Sequence, residues 1–412
     1  MSRTFTAERE RMARHDRAVK GARCLMTTEI PPLTQDRPRH DLASDEATLQ
    51  PVASHPHPEG ARPLLSVIIK TLNEAEKIGA CLTSVLEAVR AYPTQVIVAD
   101  SRSDDATAEI AQSFGVNVVT LAPEEARSCG IGPQVGYQHA TGRYLLLLDG
   151  DMQLHPAFLP AALRAMEEDS RLAGVGGGIE FDAANLEYRL RRERGMPHLQ
   201  PGLVNRLEGG GLFRREAIDQ LGYFTNQNLH SFEELDLGLR LQEKGWRLRR
   251  IGVPAVSHSG HTMPALALLL RRWHTRYVDG QGEVLRAALG TSRIPILLRV
   301  FWISLAVIAW WGAILLCAVM VMQQQLNALF LLALAGLPLA VMVLKKRSLV
   351  KGSYAVLQWQ VCAAGLLRGL LRPQRPPTRQ VSTLVVATST MFPVGKAQPS
   401  ALLDQWQHAT AE

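Results

Sequence analysis

Short apolar runs alternate with amphipathic segments in the first half of the folded part of the chain. The runs are rich in leucine and β-branched residues and contain few polar positions; they lie at 64–70, 95–100, 116–121 and 143–149. Between them, apolar residues at helical spacing predict helices at about 76–92, 106–114 and 124–139. Continuous apolar strands that alternate with helices are typical of a mostly parallel sheet with helices on both faces. The pattern therefore predicts an α/β domain of Rossmann-like design.

The pattern becomes less regular after residue 150. Residues 174–181 and 209–217 are glycine-rich, whereas leucines at helical spacing predict a helix over 232–246. Residues 247–256 predict a final strand. We therefore expect one α/β domain that ends near residue 262.

Two long apolar segments follow this domain. Residues 300–322 and 326–344 contain no charged side chain, and each is about long enough to cross a hydrocarbon core of roughly 30 Å. Basic residues flank both outer ends, so the positive-inside rule predicts a transmembrane hairpin with both ends in the cytoplasm. The alternative is a pair of buried helices in a soluble protein.

A third apolar stretch, 352–367, is shorter and contains Gln358 and Gln360. It is interpreted as an interfacial or re-entrant segment in preference to a third crossing. The predicted organisation is a disordered tail (1–62), the α/β domain (63–262), a juxtamembrane linker (263–299), the hairpin (300–344), a basic juxtamembrane and interfacial or third membrane segment (345–372) and a basic, proline-rich tail (373–412).

Composition and charge indicate which classes of partner the protein can bind. The net charge is +7, and much of the positive charge clusters beside the apolar segments, which suits anionic lipids or phosphate-bearing substrates. No nucleic-acid motif accompanies it, so nucleic acid is not an expected partner. The five cysteines have no paired spacing, which argues against a zinc site or a disulfide framework.

Two aspartates stand where the leucine-rich run 143–149 ends. Asp149 and Asp151 are separated by Gly150, and side chains at i and i+2 of a strand share one face. Two converging carboxylates repel each other unless a cation such as Mg²⁺ lies between them, and Mg²⁺ typically takes one or two carboxylates plus phosphate oxygens. Ligands of parallel sheets bind at the carboxyl ends of strands. Asp100 stands at the end of another predicted strand, so both clusters indicate a ligand site at one edge of the sheet.

At this point the chain resembles the family 2 glycosyltransferases, which have the GT-A fold. Five segments match in the order of the family, and together they span a little under half of the chain: 66–78, 97–107, 126–151, 210–224 and 233–246. The resemblance implies a glycosyltransferase that uses a nucleotide-sugar donor. A membrane hairpin is a common appendage in that family.

The resemblance also implies roles for individual residues. Carried over residue by residue, the nucleotide-sugar site would comprise Thr71, Asn73, Glu74, Asp100, Asp105, Arg127 and Asp149. A divalent metal, Mg²⁺ or Mn²⁺, would be held by Asp151, with Asp149 and His258 as further contacts. The catalytic base would come from Glu234, with Glu233 and Asp236 as the other candidates.

Several residues depart from the pattern of the family. Glu234 stands where the family usually has aspartate, Lys70 replaces a usual proline, Leu72 a usual tyrosine and Ser101 a usual second aspartate. These departures leave the identity of the nucleotide open. Leu269 stands where processive members often have glutamine, which predicts transfer of one sugar per acceptor.

The sequence therefore predicts a metal-dependent, inverting glycosyltransferase anchored in the cytoplasmic (inner) membrane, with its catalytic domain on the cytoplasmic side. The acceptor is expected to be a lipid-linked or glycan hydroxyl in the synthesis of a cell-surface polysaccharide or glycolipid. Two alternatives remain: a non-catalytic membrane scaffold that keeps the fold, and a nucleotidylyltransferase. The second is disfavoured because 70–78 lacks a glycine-rich, basic loop.

Overall fold

A computed structural model describes residues 63–181, 199–258 and 263–389. The predicted disordered tail 1–62 and residues 390–412 lie outside the described residues. The strands are β1 (Leu65–Thr71), β2 (Thr94–Asp100), β3 (Asn117–Leu121), β4 (Tyr144–Asp149), β5 (Met152–Leu154), β6 (Leu172–Phe181), β7 (Gly202–Val204), β8 (Gly211–Arg214), β9 (Arg247–His258) and β10 (Thr383–Ala387). The helices are α1 (Ile78–Val89), α2 (Thr107–Ser113), α3 (Ile131–His139), α4 (Phe158–Glu168), α5 (Arg215–Asp219), α6 (Glu233–Glu243), α7 (Ala265–His274), α8 (Gly280–Ala287), α9 (Ile294–Val300), α10 (Trp302–Met322), α11 (Ala328–Lys346) and α12 (Leu349–Leu371).

The strands form a single mixed sheet in the order β10-β3-β2-β1-β4-β8-β6-β9-β5, with β7 paired to β9. Strands β3, β2, β1 and β4 are parallel, as their continuous apolar runs predict. Beyond β4 the pairings of β8 are antiparallel, while β6 and β9 are parallel to each other. The parallel design therefore covers one half of the sheet, and the glycine-rich segments build the mixed half.

Two hydrophobic cores lie on opposite faces of the sheet. Val67 and Ile69 of β1 pack into the core that is covered by α1, α2 and α4, whereas Ile68 packs into the core covered by α3, α5 and α6. All three side chains are fully buried. Successive residues of a strand point to opposite faces, so a strand covered on both sides must be apolar throughout, which explains the run in β1.

Helix α3 begins later than the sequence predicts. It starts at Ile131, whereas the apolar pattern predicts a helix from about residue 124. Ser128 explains the difference, because its hydroxyl accepts a hydrogen bond from the Ile131 amide at 3.1 Å and donates one to the Gln227 carbonyl at 2.7 Å. These contacts hold residues 124–130 as a loop against a distant part of the chain.

The segment after α12 returns to the α/β domain. We call residues 373–387 the strap. The sequence pattern predicts only a tail for these residues. Strand β10 pairs antiparallel with β3 at the edge of the sheet. Arg375 and Arg379 of the strap form ion pairs with Glu125, which is 2% exposed. The sheet of the α/β domain is thus completed by a strand that follows the apolar hairpin in sequence.

Breaking the anchor of the strap should destabilise the whole domain. The double substitution Arg375→Ala and Arg379→Ala leaves the buried Glu125 carboxylate without its charged partners, so we expect a loss of about 1–3 kcal/mol in the free energy of unfolding. Thermal unfolding of the full chain measures this loss, with Arg90→Ala, an exposed arginine, as the control. An unfolding temperature equal to that of the control would contradict this role of the strap.

Helices α10 and α11 are candidate membrane spans by their length and composition. Their mean hydropathies are 2.5 and 2.3, and only 6% of each apolar window is buried within the structure. A buried helix pair in a soluble protein would be mostly covered, so this exposure favours the membrane interpretation over that alternative. The helix bounds lie within two residues of the predicted segments.

Helix α12 is continuous and runs along α7. The Tyr354 hydroxyl donates to the Ala265 carbonyl at the start of α7 at 3.1 Å, and the Arg368 guanidinium donates to the Trp273 carbonyl near its end at 3.0 Å. Gln360 accepts a hydrogen bond from the indole of Trp311 in α10. Tyr354, Gln360 and Arg368 of α12 therefore have partners in neighbouring helices, and an interfacial position for this helix stays a prediction.

Candidate active site

The predicted nucleotide-binding residues lie at the ends of adjacent strands, where hydrogen bonds connect them. Thr71 of β1 is in register with Asp100 of β2, and its hydroxyl donates to Asp100 Oδ1 at 3.0 Å. The Ser103 amide donates to Asp100 Oδ2 at 2.9 Å. Asn73, which has a left-handed φ of 59°, accepts a hydrogen bond from the Asp104 amide at 2.7 Å. Together these contacts join the loops after β1 and β2 into one pocket wall.

The other two predicted residues of this wall support the loops. Asp105 Oδ2 accepts a hydrogen bond from the Ala75 amide at 3.1 Å. Arg127 pairs with Asp104 at 3.4 Å and donates to the Arg102 carbonyl. In this geometry the guanidinium of Arg127 braces the acidic loop, and contact with a donor phosphate stays a prediction.

Asp149 and Asp151 have different cationic neighbours. Asp149 ends β4, and its Oδ1 lies 3.2 Å from Lys70 Nζ. Asp151 precedes β5, and its Oδ2 lies 3.2 Å from His258 Nε2 and 3.8 Å from Lys77 Nζ. The pairing of β5 with β9 places Met152 opposite His258, so sheet register brings the imidazole to Asp151.

Packing explains the glycine between the two aspartates. A Cβ at Gly150 would lie 2.7 Å from Thr71 Cγ2 and 3.4 Å from Glu74 Cγ. The 2.7 Å distance to Thr71 Cγ2 is shorter than real Cβ contacts, so a larger residue would push the acidic turn away from the pocket wall. Gly150 thus lets the aspartates approach the loop after β1 closely.

The carboxylates of this cluster perturb one another. Burial and the nearby Asp151 carboxylate raise the pKa of Glu74 to about 7. Burial alone would raise the pKa of Asp151, but its hydrogen bond to His258, the charge of His258 and that of Lys77 lower it below the ordinary range. The cluster therefore concentrates negative charge at the end of β4, with Asp151 ionised.

The donor set fits a divalent metal that arrives with a diphosphate. Among residues 63–181, 199–258 and 263–389, no group of three or more His, Cys, Asp or Glu side chains is arranged to hold a metal by itself. Asp151 and His258 together offer one carboxylate and one imidazole, which suit Mn²⁺ or Mg²⁺ when phosphate oxygens and water complete the shell. Asp151 and His258 would thus supply two protein ligands, and phosphate oxygens and water would take the other positions around the metal.

Helix α6 carries the three candidate bases, and they differ in environment. Glu233 is buried and its Oε1 lies 3.3 Å from Lys70 Nζ. Asp236 is 1% exposed and binds Arg240 at 2.8 Å and Arg293 at 2.7 Å. Glu234 is partly exposed. Burial and the neighbouring Glu233 raise the pKa of Glu234 well above its ordinary value, against the opposing charge of Lys70.

These surroundings separate the roles of the three carboxylates. Both oxygens of Asp236 are engaged by arginines, which favours a structural role for this residue. Glu234 combines access with a raised pKa, as a general base requires. Local sequence pattern does not identify Lys70, Lys77 or Arg293 as site residues, because strand register and the helices before α10 bring their partners to them.

We call residues 230–236, which lead into and begin α6, the base segment; two residues that lie before α10 hold it in place. The His230 amide donates to Glu283 Oε2 at 2.9 Å, and its ring Nδ1 lies 2.8 Å from Glu283 Oε1. Phe232, at a left-handed φ of 66°, packs edge-on against Phe301 with ring centroids 5.0 Å apart. Phe301 directly precedes α10. The residues before Glu233 are therefore fixed by the chain that leads into the apolar hairpin.

The chain is similar in sequence to known glycosyltransferases. Residues 66–222 match the model of the glycosyl transferase family 2. A glycosyltransferase named AglE from Haloferax volcanii is 33% identical over 175 residues, which are 40% of this chain and 57% of that protein. A dolichol-phosphate mannosyltransferase from Pyrococcus furiosus is 27% identical over 111 residues, covering 26% of this chain and 32% of that protein. The chain thus spans between about a third and somewhat over half of the length of these relatives.

One solved structure shares the overall fold. The mannosyltransferase PcManGT from Pyrobaculum calidifontis, in complex with GDP-Man and Mn²⁺, covers 76% of this chain and 88% of its own, with a TM-score of 0.51 and 21% identity. At this identity the likeness concerns the fold. Together with the family match, it confirms the predicted fold class.

Proposed function

We propose that the protein is a membrane-anchored glycosyltransferase, because residues 66–222 match the model of the glycosyl transferase family 2 and the chain shares the fold of a solved mannosyltransferase. It transfers a sugar from a nucleotide-diphosphate donor to an acceptor hydroxyl. The observation that carries the proposal is the contact between the two acidic regions: Asp149 at the end of β4 and Glu233 at the start of α6 lie 3.2 Å and 3.3 Å from the same Lys70 Nζ. The residues expected to hold the donor diphosphate therefore lie close to the expected base, Glu234, as the transfer requires.

The donor side is built to hold a nucleotide sugar. The wall formed by Thr71, Asn73 and Asp100 receives the nucleoside, and Asp149 meets the ribose and sugar hydroxyls. Asp151 and His258 would hold a divalent metal, which when bound neutralises charge on the leaving diphosphate. Lys77, 3.8 Å from Asp151, adds a fixed positive charge to the same region.

The acceptor side supplies the proton acceptor. Glu234 takes the proton of the acceptor hydroxyl as that oxygen attacks the anomeric carbon, and the nucleotide diphosphate leaves with the bonding electrons. A single displacement with one base inverts the anomeric centre. The rigid contacts of His230 and Phe232 hold Glu234 in place during the transfer.

We infer a lipid-linked acceptor from the position of the base segment. Its supporting residues, Glu283 and Phe301, belong to the juxtamembrane chain, so an acceptor carried by a lipid reaches the cleft without leaving the membrane surface. The relatives from Pyrococcus furiosus and Edwardsiella ictaluri, the latter an undecaprenyl-phosphate 4-deoxy-4-formamido-L-arabinose transferase with 26% identity over 151 residues, are named for lipid-phosphate substrates. We place the catalytic domain on the cytoplasmic side of the inner membrane, since basic residues flank both ends of the hairpin.

A transfer assay with the full chain tests the proposal. Membranes that contain the protein are incubated with a panel of radiolabelled nucleotide sugars and Mn²⁺, and label in the lipid extract is measured. We expect at least one donor to give labelled lipid, with membranes lacking the protein as the control. Absence of transfer and of hydrolysis for every donor would favour the scaffold alternative, and pyrophosphate release from a nucleoside triphosphate would favour nucleotidylyl transfer.

A further inference from the structure

The charge of Lys70 is not explained by the roles assigned above. Its Nζ lies 3.2 Å from Asp149 Oδ1 and 3.3 Å from Glu233 Oε1. One ammonium group therefore bridges Asp149 at the end of β4 and Glu233 at the start of α6. These two carboxylates belong to distant parts of the chain.

We propose that Lys70 is a positioning residue: it binds Glu233 in an ion pair and thereby leaves Glu234 as the carboxylate that takes the acceptor proton. This inference rests on the proposed function, because it concerns the base of that reaction. It goes beyond the proposed function in assigning separate roles to two adjacent glutamates and in naming the cation that separates them.

The sheet fixes the position of the lysine. Lys70 stands in β1 between Ala99 of β2 and Asp149 of β4, and its carbonyl accepts a hydrogen bond from the Gly150 amide at 3.0 Å. Its side-chain stem passes under α3, where a Cβ at Gly132 would lie 3.0 Å from Lys70 Cβ. Packing therefore directs the ammonium group across the cleft.

Glu233 needs a cation where it stands. Its side chain is 6% exposed. The preceding residue, Phe232, has a left-handed φ of 66° and its ring packs on that of Phe301, which fixes the start of α6. Losing the partner of a buried carboxylate is strongly destabilising. Lys70 supplies that partner and holds the Glu233 carboxylate in an ion pair.

Glu234 is left in a different state. In the part of the chain that the structure describes, no hydrogen bond or ion pair is formed by its carboxylate. Burial and Glu233 raise its pKa, and Lys70 opposes this rise. Lys70 thus has two effects on the base: it holds Glu233 in an ion pair, and its charge opposes the rise in the pKa of Glu234.

A double-mutant cycle on the full chain, assayed with a donor that the wild-type protein transfers, tests the coupling. Lys70→Met is expected to lower kcat by roughly 10- to 100-fold, because Glu233 loses its partner and shifts the base. Adding Glu233→Gln removes the charge that needs a partner. The double variant should therefore recover part of the kcat that Lys70→Met loses, so that its kcat lies well above the product of the two single effects.

Lys77→Met provides the matched control. Lys77 is the other lysine of the cleft and pairs with Glu74 and Asp151, without contact to Glu233. Its effect should multiply with that of Glu233→Gln. The charge-conserving pair Lys70→Arg and Glu233→Asp is measured in the same way, so the coupling is tested even where Lys70→Met does not fold.

Two results would overturn the inference: multiplicative effects of Lys70→Met and Glu233→Gln, or a loss of kcat in Glu233→Gln as large as that in Glu234→Gln. Absence of transfer by the wild-type protein would instead contradict the proposed function, so the two failures are distinguishable.

Discussion

Replacing Glu234 with glutamine should lower kcat by about 10²–10⁴-fold, the usual contribution of a general base. Glutamine keeps the size of the side chain and its place at the start of α6, so donor binding should be retained. Because the pKa of Glu234 is raised, the wild-type kcat should fall, as the pH is lowered, at a pH above the ordinary glutamate range. Turnover at saturating donor and acceptor measures both effects.

Asp236→Asn is the comparison for this variant. Asp236 is in the same helix but binds Arg240 and Arg293 in the interior, so its substitution should cost about 3–5 kcal/mol in the free energy of unfolding. The activity that remains should follow the fraction of folded protein. If Glu234→Gln turned over at the wild-type rate, or lost activity only in proportion to its stability, Glu234 would not be the base.

Replacing Asp151 with asparagine should reduce transfer on the order of 10²–10³-fold, as loss of one electrostatic contact to a developing charge typically does. It should also abolish the stimulation by Mn²⁺, because Asp151 is the carboxylate that lies beside His258 and has a lowered pKa. Initial rates over a range of Mn²⁺ concentrations measure this change. Asp169→Asn, a surface aspartate paired with Arg171, serves as the control and should behave like the wild-type protein.

The strands of the parallel half were predictable because burial on both faces demands apolar residues at every position. β1, β2, β3 and β4 each lie within one or two residues of their predicted bounds. The aspartates at the strand ends could be identified for the same reason, since a carboxylate has no place inside such a strand. The resemblance then gave them expected roles, and these roles stay predictions.

The cations of the site could not be predicted from local pattern. Lys70 reaches Asp149 because β1 and β4 are in register, and it reaches Glu233 because α6 packs above the same edge. His258 meets Asp151 through the pairing of β5 with β9. Each contact depends on the tertiary arrangement, which spacing along the chain does not reveal.

The strap could not be predicted from the sequence for a related physical reason. Thr383–Ala387 is a short β-branched run, but a strand of this length becomes visible only through the edge that it joins. Glu125 gave no signal either, because its partners Arg375 and Arg379 lie beyond the apolar hairpin. The strap therefore ties the chain that follows the apolar hairpin to the α/β domain.

Donor binding is the measurement that tests the central claim most directly. The thermal unfolding of the full chain is followed with a panel of nucleotide sugars, with Mn²⁺ and with a chelator. We predict that at least one nucleotide sugar raises the unfolding temperature in the presence of Mn²⁺, by an amount equivalent to a few kcal/mol at saturation, and that the rise disappears with the chelator and in Asp151→Asn. A stabilisation of the same size with the chelator or in Asp151→Asn, or no stabilisation by any nucleotide sugar, would contradict the proposal that the aspartates at the end of β4 hold a nucleotide-sugar diphosphate through a divalent metal.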